Sequence, residues 1–485
     1  MRTRLLTVLT LSLAATQITA QETRDYLAAG GPIRTQPVES RIQSALSQVS
    51  PEKIRANVEV LVKFNNRSTI SSADANLPPG TGILAASDWI KKQLETYSEA
   101  CGGCLEVKVD EFSQSPEAAF NGSNPRIVRP TLIRNIYAIL RGTDSKASKR
   151  IYLVTGHYDT RETDVMNTHD PAPGANDDSS GTAVSLESAR VLSQLKFPAT
   201  IVFAAVAGEE QGLNGSRHLA QLAKDEGWQV EGILNNDIVG GDTTPGDTLQ
   251  NKSLIRVFSQ GILPSAPVET IRQMLSLGIE NDTPSRELAR AILDVSRSYF
   301  ATPKSFRPVM ELRLDRYLRG GDHKSFSDLG FASVRFTEWR ENYNHQHQHI
   351  RVENGVEYGD LLKFDDWQYI AQVARLNIAT LGTLASSPGV PEKVRVVTTN
   401  LDNNTTLRWD APTAASEAVK YEIVWRETAV SDWQFSADAS KFGDSSESHS
   451  ATLPISKDNV IFGVRACDDR GHCGPAVTPF PERRP

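Results

Sequence analysis

The sequence predicts an α/β fold, a mainly parallel or mixed sheet with helices on both faces, followed by a C-terminal all-β sandwich. Three observations predict it. Short apolar runs of strand length alternate with segments of helical periodicity in the middle of the chain. The composition changes near residue 385, after which no long helical pattern recurs. The length, 485 residues, points to two or three compact units at a prior of about 150 residues each.

Taken in order, MRTRLLTVLTLSLAATQITAQ carries arginines at positions 2 and 4, an apolar stretch from Leu5 to Ala15, and small or neutral residues leading to Ala20. This is the pattern of a signal peptide, residues 1–20, and its apolar run is too short to span a bilayer. No later segment is apolar for long enough to form a transmembrane anchor, so the expectation is a soluble exported chain, extracellular or periplasmic. Residues 41–63 and 82–97 have apolar spacings of three and four, which predicts two amphipathic helices. The four cysteines fall in two close pairs, Cys101 with Cys104 and Cys467 with Cys473, and in an oxidising compartment these predict two local disulfides. A zinc or redox role for Cys-Gly-Gly-Cys is the alternative, disfavoured because no second pair lies near it in sequence.

IYLVT (151–155), TIVFAAVA (200–207), GILNNDIV (232–239) and FASVRF (331–336) are the strand candidates of the middle region, and GTAVSLESARVLSQL (181–195) is helical in period. ASSPGVPEKV then reads as a linker. Beyond it TTLRWDAP, KYEIVWRE and VIFGVRACD are strand candidates, with Trp409 and Trp425 as core aromatics, as a β-sandwich requires. The net charge of -7, from 52 Lys+Arg against 59 Asp+Glu, gives no reason to expect a polyanionic partner, which excludes nucleic acid.

In open α/β sheets ligands bind beyond the carboxyl ends of the strands, so the residues that follow each apolar run carry the functional information. IYLVT is followed by Gly156-His157-Tyr158-Asp159, and residues two apart on an extended chain point the same way. Asp159 then takes the other ring N–H of a ligating His157, or the two form an ordinary polar pair. Gly174-Ala-Asn-Asp177-Asp178-Ser-Ser-Gly181 opens a helix; it suits an N-cap, and equally a carboxylate whose two oxygens bridge two cations. TIVFAAVAG ends in Glu209-Glu210. Two adjacent glutamates raise each other's cost of ionisation, and a cation answers that if one coordinates it while the other holds a proton taken from water. Asn235-Asn236-Asp237 follows the next run, as a polar turn or a ligand. FASVRFTE leads into Tyr343-Asn-His345-Gln-His347-Gln-His349, one of whose histidines could close a site.

The ordered set His-x-Asp, Gly-x-Asn-Asp-x-Ser-Gly, Glu-Glu-x-Gly, Asn-Asp and a late His resembles peptidase family M28, the zinc aminopeptidases of leucyl aminopeptidase type, over roughly residues 50 to 385. The resemblance implies two zinc ions per chain. His157, Asp177 and Asp237 would hold one, and Asp177, Glu210 and a late histidine the other, with Asp177 bridging. Glu209 would be the general base and Asp159 would orient His157. His347 is the favoured late ligand, ahead of His345 and His349. Asp322-His323 resembles a family segment that supports the ligands, and Tyr317 is assigned to the tetrahedral intermediate. The tail, through Pro391, Leu407-Arg-Trp409 and Tyr421-Glu-Ile-Val-Trp425, resembles a fibronectin type III module.

The organisation expected is a signal peptide (1–20), a peptidase unit with an N-terminal helical segment (21–385), and a linker with sandwich (386–485). Peptide or protein N-termini are the expected substrates. The sandwich has two open roles, binding a surface or polymer and stabilising the enzyme. The competing functions are a one-zinc glutaminyl cyclase-like enzyme, a dipeptidase or carboxypeptidase, and an inactive secreted binding protein.

Overall fold

The computed structural model describes residues 24–482, apart from 119–123, 264, 303–304, 400–401, 416–418 and 446–448. The expected signal peptide, residues 1–20, lies outside the described residues. No described helix is long and apolar enough to cross a membrane.

Eight strands form the central sheet among the described residues. They are β1 (Leu105–Gln114), β2 (Thr131–Leu140), β3 (Arg150–His157), β4 (Thr200–Val206), β5 (Gln229–Asn236), β6 (Leu254–Ser259), β7 (Arg307–Glu311) and β8 (Ser333–Glu338), in the order β1-β2-β4-β3-β5-β8-β6-β7. The four in the middle, β4, β3, β5 and β8, are parallel, so their carboxyl ends share one rim. Antiparallel pairings join β1, β2 and β4 on one side, and β6 to β8 on the other.

Side chains alternate between two cores, as the period of two demands. Tyr152, Val154, Ile201, Phe203 and Ala205 face one, whereas Ile151, Leu153, Val202, Ala204 and Val206 face the other. Helices α1 (Pro51–Lys63), α2 (Gly82–Ala100), α3 (Gly181–Leu192), α5 (Pro284–Tyr299) and α6 (Trp367–Ser386) contribute to the first core, and α4 (Asn214–Asp225) with the short helix His323–Ser327 to the second. Burial on both faces explains why these strands read as continuous apolar runs.

The expected single helix over 41–63 is two helices, Ser40–Leu46 and α1. Pro51 starts the second because it has no N–H to give to a preceding turn, and Ser50 caps it by accepting from the Lys53 amide at 3.2 Å. The strands β1, β2, β6 and β7 were not anticipated. Both expected disulfides, Cys101–Cys104 and Cys467–Cys473, are present.

Beyond α6, strands β9 (Glu392–Val396), β10 (Thr405–Asp410), β11 (Lys420–Glu427), β12 (Phe435–Asp438), β13 (Ser450–Leu453), β14 (Val460–Cys467) and β15 (Phe480–Pro481) make two four-stranded sheets. One has the order β13-β10-β9-β15; the other is β12-β11-β14 with the pair Gly31–Pro32 added beside β12. Trp409 and Trp425 are buried in this core. Tyr26 joins them, its carbonyl accepting from Trp425 Nε1 at 3.1 Å. The segment around Tyr26 and Gly31 therefore packs on the sandwich, whereas the sequence reading grouped it with the larger unit.

Helix α5 docks on the sandwich through buried charge. Both oxygens of Asp282 accept from Arg426 Nη2 at 2.8 Å, and Arg290 Nη1 lies 2.9 Å from the same carboxylate. Asp294 accepts from Arg465 at 2.9 Å, and Glu287 from the Trp433 indole at 3.0 Å.

Candidate metal centre

Two glycines allow the strand ends and the helix start to meet. A Cβ at Gly156 would lie 2.3 Å from the carbonyl carbon of Gly181, and one at Gly181 would lie 2.1 Å from the Asn236 oxygen. The turn before α3 is thereby pressed against the ends of β3 and β5. Arg67, fully buried, donates to the carbonyls of Tyr158, Pro173 and Gly174 and to Ser179 Oγ. Asp360 accepts from the amides of Asn176 and Asp177 at 2.8 and 2.7 Å. The two acids of this turn point to different places. Asp178 caps, taking the amides of Gly181 at 2.9 Å and His157 at 3.0 Å. Asp177 is turned toward the strand ends.

There its two oxygens face two imidazoles. Oδ1 lies 3.2 Å from His157 Nε2, and Oδ2 lies 2.9 Å from His347 Nε2. His347 Nε2 is also 2.9 Å from Glu210 Oε1, and His157 Nε2 is 3.9 Å from Asp237 Oδ1. Yet His157 Nε2 and Glu210 Oε1, both buried, make no hydrogen bond. Nitrogen and oxygen donors thus converge on one spot. They fall into two groups, His157 with Glu209 and Asp237, and Asp177 with Glu210 and His347, the donor atoms of each lying within 4.8 Å of one another. Imidazole nitrogen and carboxylate oxygen in sets of three suit zinc with an open position.

On the far side of His157, Nδ1 lies 3.1 Å from the Asp159 carbonyl and 3.4 Å from its carboxylate. The expected carboxylate contact is thus the longer one, because Asp159 is occupied elsewhere: its carboxylate accepts from Thr69 Oγ1 at 3.0 Å and from the Glu210 and Glu209 amides at 3.1 and 3.4 Å. It ties the end of β3 to the turn after β4.

The electrostatics reflect crowding. Burial pushes the Glu209 carboxyl well above its ordinary value; His157 opposes this, and Asp237 and Glu210 reinforce it. Burial would lower His347, but the Glu210 and Asp177 carboxylates outweigh it and push the imidazole up to about 10. For Asp177, burial is overcome by His347 and His157, which hold it well below the usual carboxylate range. Asp322 is fully buried and pushed up to about 7, by burial first, with His157 opposing and Asp237 adding.

A model of peptidase family M28 matches residues 135–268, which span β2 to the start of the segment after β6 and include every acid of the two groups. A probable zinc metalloprotease of Pyrenophora teres f. teres is 42% identical over 449 residues, covering 92% of this chain and 88% of its own. One of Pyricularia oryzae is 43% identical over 461 residues, covering 93% and 87%. The chain belongs to peptidase family M28. The fold of LapA from Legionella pneumophila is similar, with a TM-score of 0.50 at 18% identity, covering 73% of this chain and 79% of that one.

In this M28 chain the histidine tract is separated by its surroundings. His345 stacks on Phe364 at 3.5 Å and bonds Asp242, while His349 is exposed beside Thr163. Only His347, with φ of 53°, joins Asp177 and Glu210. Tyr317, assigned from sequence to the tetrahedral intermediate, is not in either group: it is 80% exposed, with Arg313 4.1 Å over its ring. Neither oxygen of Asp322 has a hydrogen-bond partner, and His323 Nε2 is bonded to the Leu314 carbonyl at 2.9 Å. Sequence reasoning missed Arg67, Asp360, Gln346, which donates to Asp177 Oδ2 at 3.0 Å, and Arg335, which lies 2.7 Å from Asp237 Oδ1. Arg335 alone left a signal, a cation between the apolar Val334 and Phe336.

Proposed function

We propose that this M28 zinc metallopeptidase is a secreted aminopeptidase with two zinc ions per chain. His157, Asp177 and Asp237 hold one ion, Asp177, Glu210 and His347 hold the other, and Glu209 is the general base. The observation that carries the reading is Asp177, whose two oxygens face two different imidazoles at 3.2 and 2.9 Å, so that one carboxylate stands between both donor groups. Zinc bound there supplies a Lewis acid for the scissile carbonyl and lowers the pKa of the attacking water.

The chain's own residues do the rest. Glu209 is half-buried at the edge of the cluster, which suits a carboxylate that takes a proton from water and returns it to the leaving nitrogen. Asp159 positions both partners of that transfer, His157 through its carbonyl and the Glu209–Glu210 turn through its carboxylate. The proposed substrate is the N-terminus of a peptide. The two disulfides and the leader-like sequence support export. The tail is proposed to be a fibronectin type III-like module whose role is stabilisation, a reading supported by the buried junction with α5.

Glu209→Gln is the test. Hydrolysis of an aminoacyl amide should fall by roughly 10²–10⁴-fold, with zinc content unchanged at two per chain. Full activity in the variant, or equal cleavage of an N-acetylated peptide by the wild type, would contradict the proposal.

A further inference from the structure

We propose that Arg335 is a positioning residue that shares Asp237 with the metal centre, weakening that carboxylate's hold on its ion and leaving the ion a stronger electrophile. This rests on the two-ion reading above. Arg335 is fully buried in β8. Its Nη2 lies 2.7 Å from Asp237 Oδ1 and donates to the Asp237 carbonyl at 3.3 Å. Its Nη1 donates to the Gly320 carbonyl at 2.8 Å and lies 3.3 Å from Asp315.

The oxygen that the guanidinium holds is the one 3.9 Å from His157 Nε2. A carboxylate oxygen engaged in a charge-assisted hydrogen bond has less charge to offer a second cation. The other half of the centre has no such competitor among the described residues. Asp177 Oδ2 receives the neutral amide of Gln346, and Arg126 reaches Glu210 only at its carbonyl, at 2.6 Å. Gly320 and Asp315 pin the guanidinium independently of Asp237, so its charge stays fixed whatever Asp237 does. Packing does not call for it: an apolar side chain between Val334 and Phe336 would avoid the desolvation of a buried cation, and Arg335 Nε is left without a hydrogen bond.

Structural damage and electronic sharing predict opposite signs for metal affinity. The full chain, stripped of metal, is titrated with Co²⁺ as wild type, Arg335→Met, Arg335→Lys, and the double variant Arg335→Met/Asp315→Asn, which removes the second carboxylate that faced the guanidinium if the single variant fails to fold. Sharing predicts that removal of the charge tightens one Co²⁺ dissociation constant about 10–100-fold and leaves the other nearly unchanged, with a shifted visible Co²⁺ spectrum. In the same variants kcat should fall by about tenfold or more at nearly constant KM. Arg335→Lys, which keeps the charge, should bind Co²⁺ like the wild type. Unchanged or weaker Co²⁺ binding in both charge-removing variants overturns the inference, as does a wild type that binds no Co²⁺. The titration needs no turnover, so an inactive wild type that still gives the affinity pattern would sink the aminopeptidase reading alone.

Discussion

The junction between α5 and the sandwich and the rim of the central sheet both bury several charges, and they treat them in opposite ways. At the junction the carboxylates of Asp282, Glu287 and Asp294 each meet an arginine or an indole N–H. At the rim Asp177, Asp178, Glu209, Glu210, Asp237 and Asp322 crowd around two imidazoles and one guanidinium, and Glu210 Oε1, His157 Nε2 and both oxygens of Asp322 have no hydrogen-bond partner. Buried charge that is matched residue for residue serves cohesion. An excess of one sign is a feature of functional sites, where a bound cation can offset it.

Asp→Asn substitutions at the two places should therefore give opposite results. Asp177→Asn is expected to lower kcat/KM by on the order of 10³-fold or more and to reduce zinc content, because both imidazoles lose the acid they share. Zinc content and turnover close to those of the wild type would erase the contrast. Asp282→Asn removes the carboxylate from Arg426 and leaves Arg290 with Glu287 alone, and should cost roughly 3–5 kcal/mol in urea unfolding. The activity of its folded fraction should be preserved, and a loss of turnover without a loss of stability would show that the junction is not merely cohesive.

The smallest effect sharpens the comparison from within the junction. Burial pushes Glu287 from the usual 4.5 up to about 7 despite the opposing Arg290. The folded state then holds this proton longer than the unfolded chain, so its contribution makes stability fall as pH rises from about 4.5 to about 7, by at most about 1.4 kcal/mol per pH unit, and level off above. Glu287→Gln should flatten that part of the stability profile. An unaltered slope would assign the pH dependence elsewhere.

The middle strands were legible because burial on both faces makes them unbroken apolar runs, and the acids at their ends because polar residues directly after such runs are conspicuous. What could not be read is held by distance in the chain rather than by pattern. Arg67 reaches a turn more than a hundred residues later, and Asp360 secures Asp177 from a Gly-Asp-Leu segment with no motif of its own. The break at Pro51 was visible in principle, since a Ser-Pro step ends one helix as readily as it starts another. The edge strand β1 and its inner neighbour β2 mix polar and apolar residues: β1 is largely exposed, whereas β2 is buried nearly throughout although it carries Arg134 and Asn135.

The attachment of Tyr26 to Trp425 spans 399 positions. On a ribosome adding about 5–20 residues per second, the early strip of chain waits on the order of 20–80 s for the strands that receive it. Until then the sandwich lacks Gly31–Pro32 along β12 and the Tyr26 ring in its interior. Completion of the tail and capture of the leading strip are thus one late event in biosynthesis, and a nascent chain stalled before β14 would expose both.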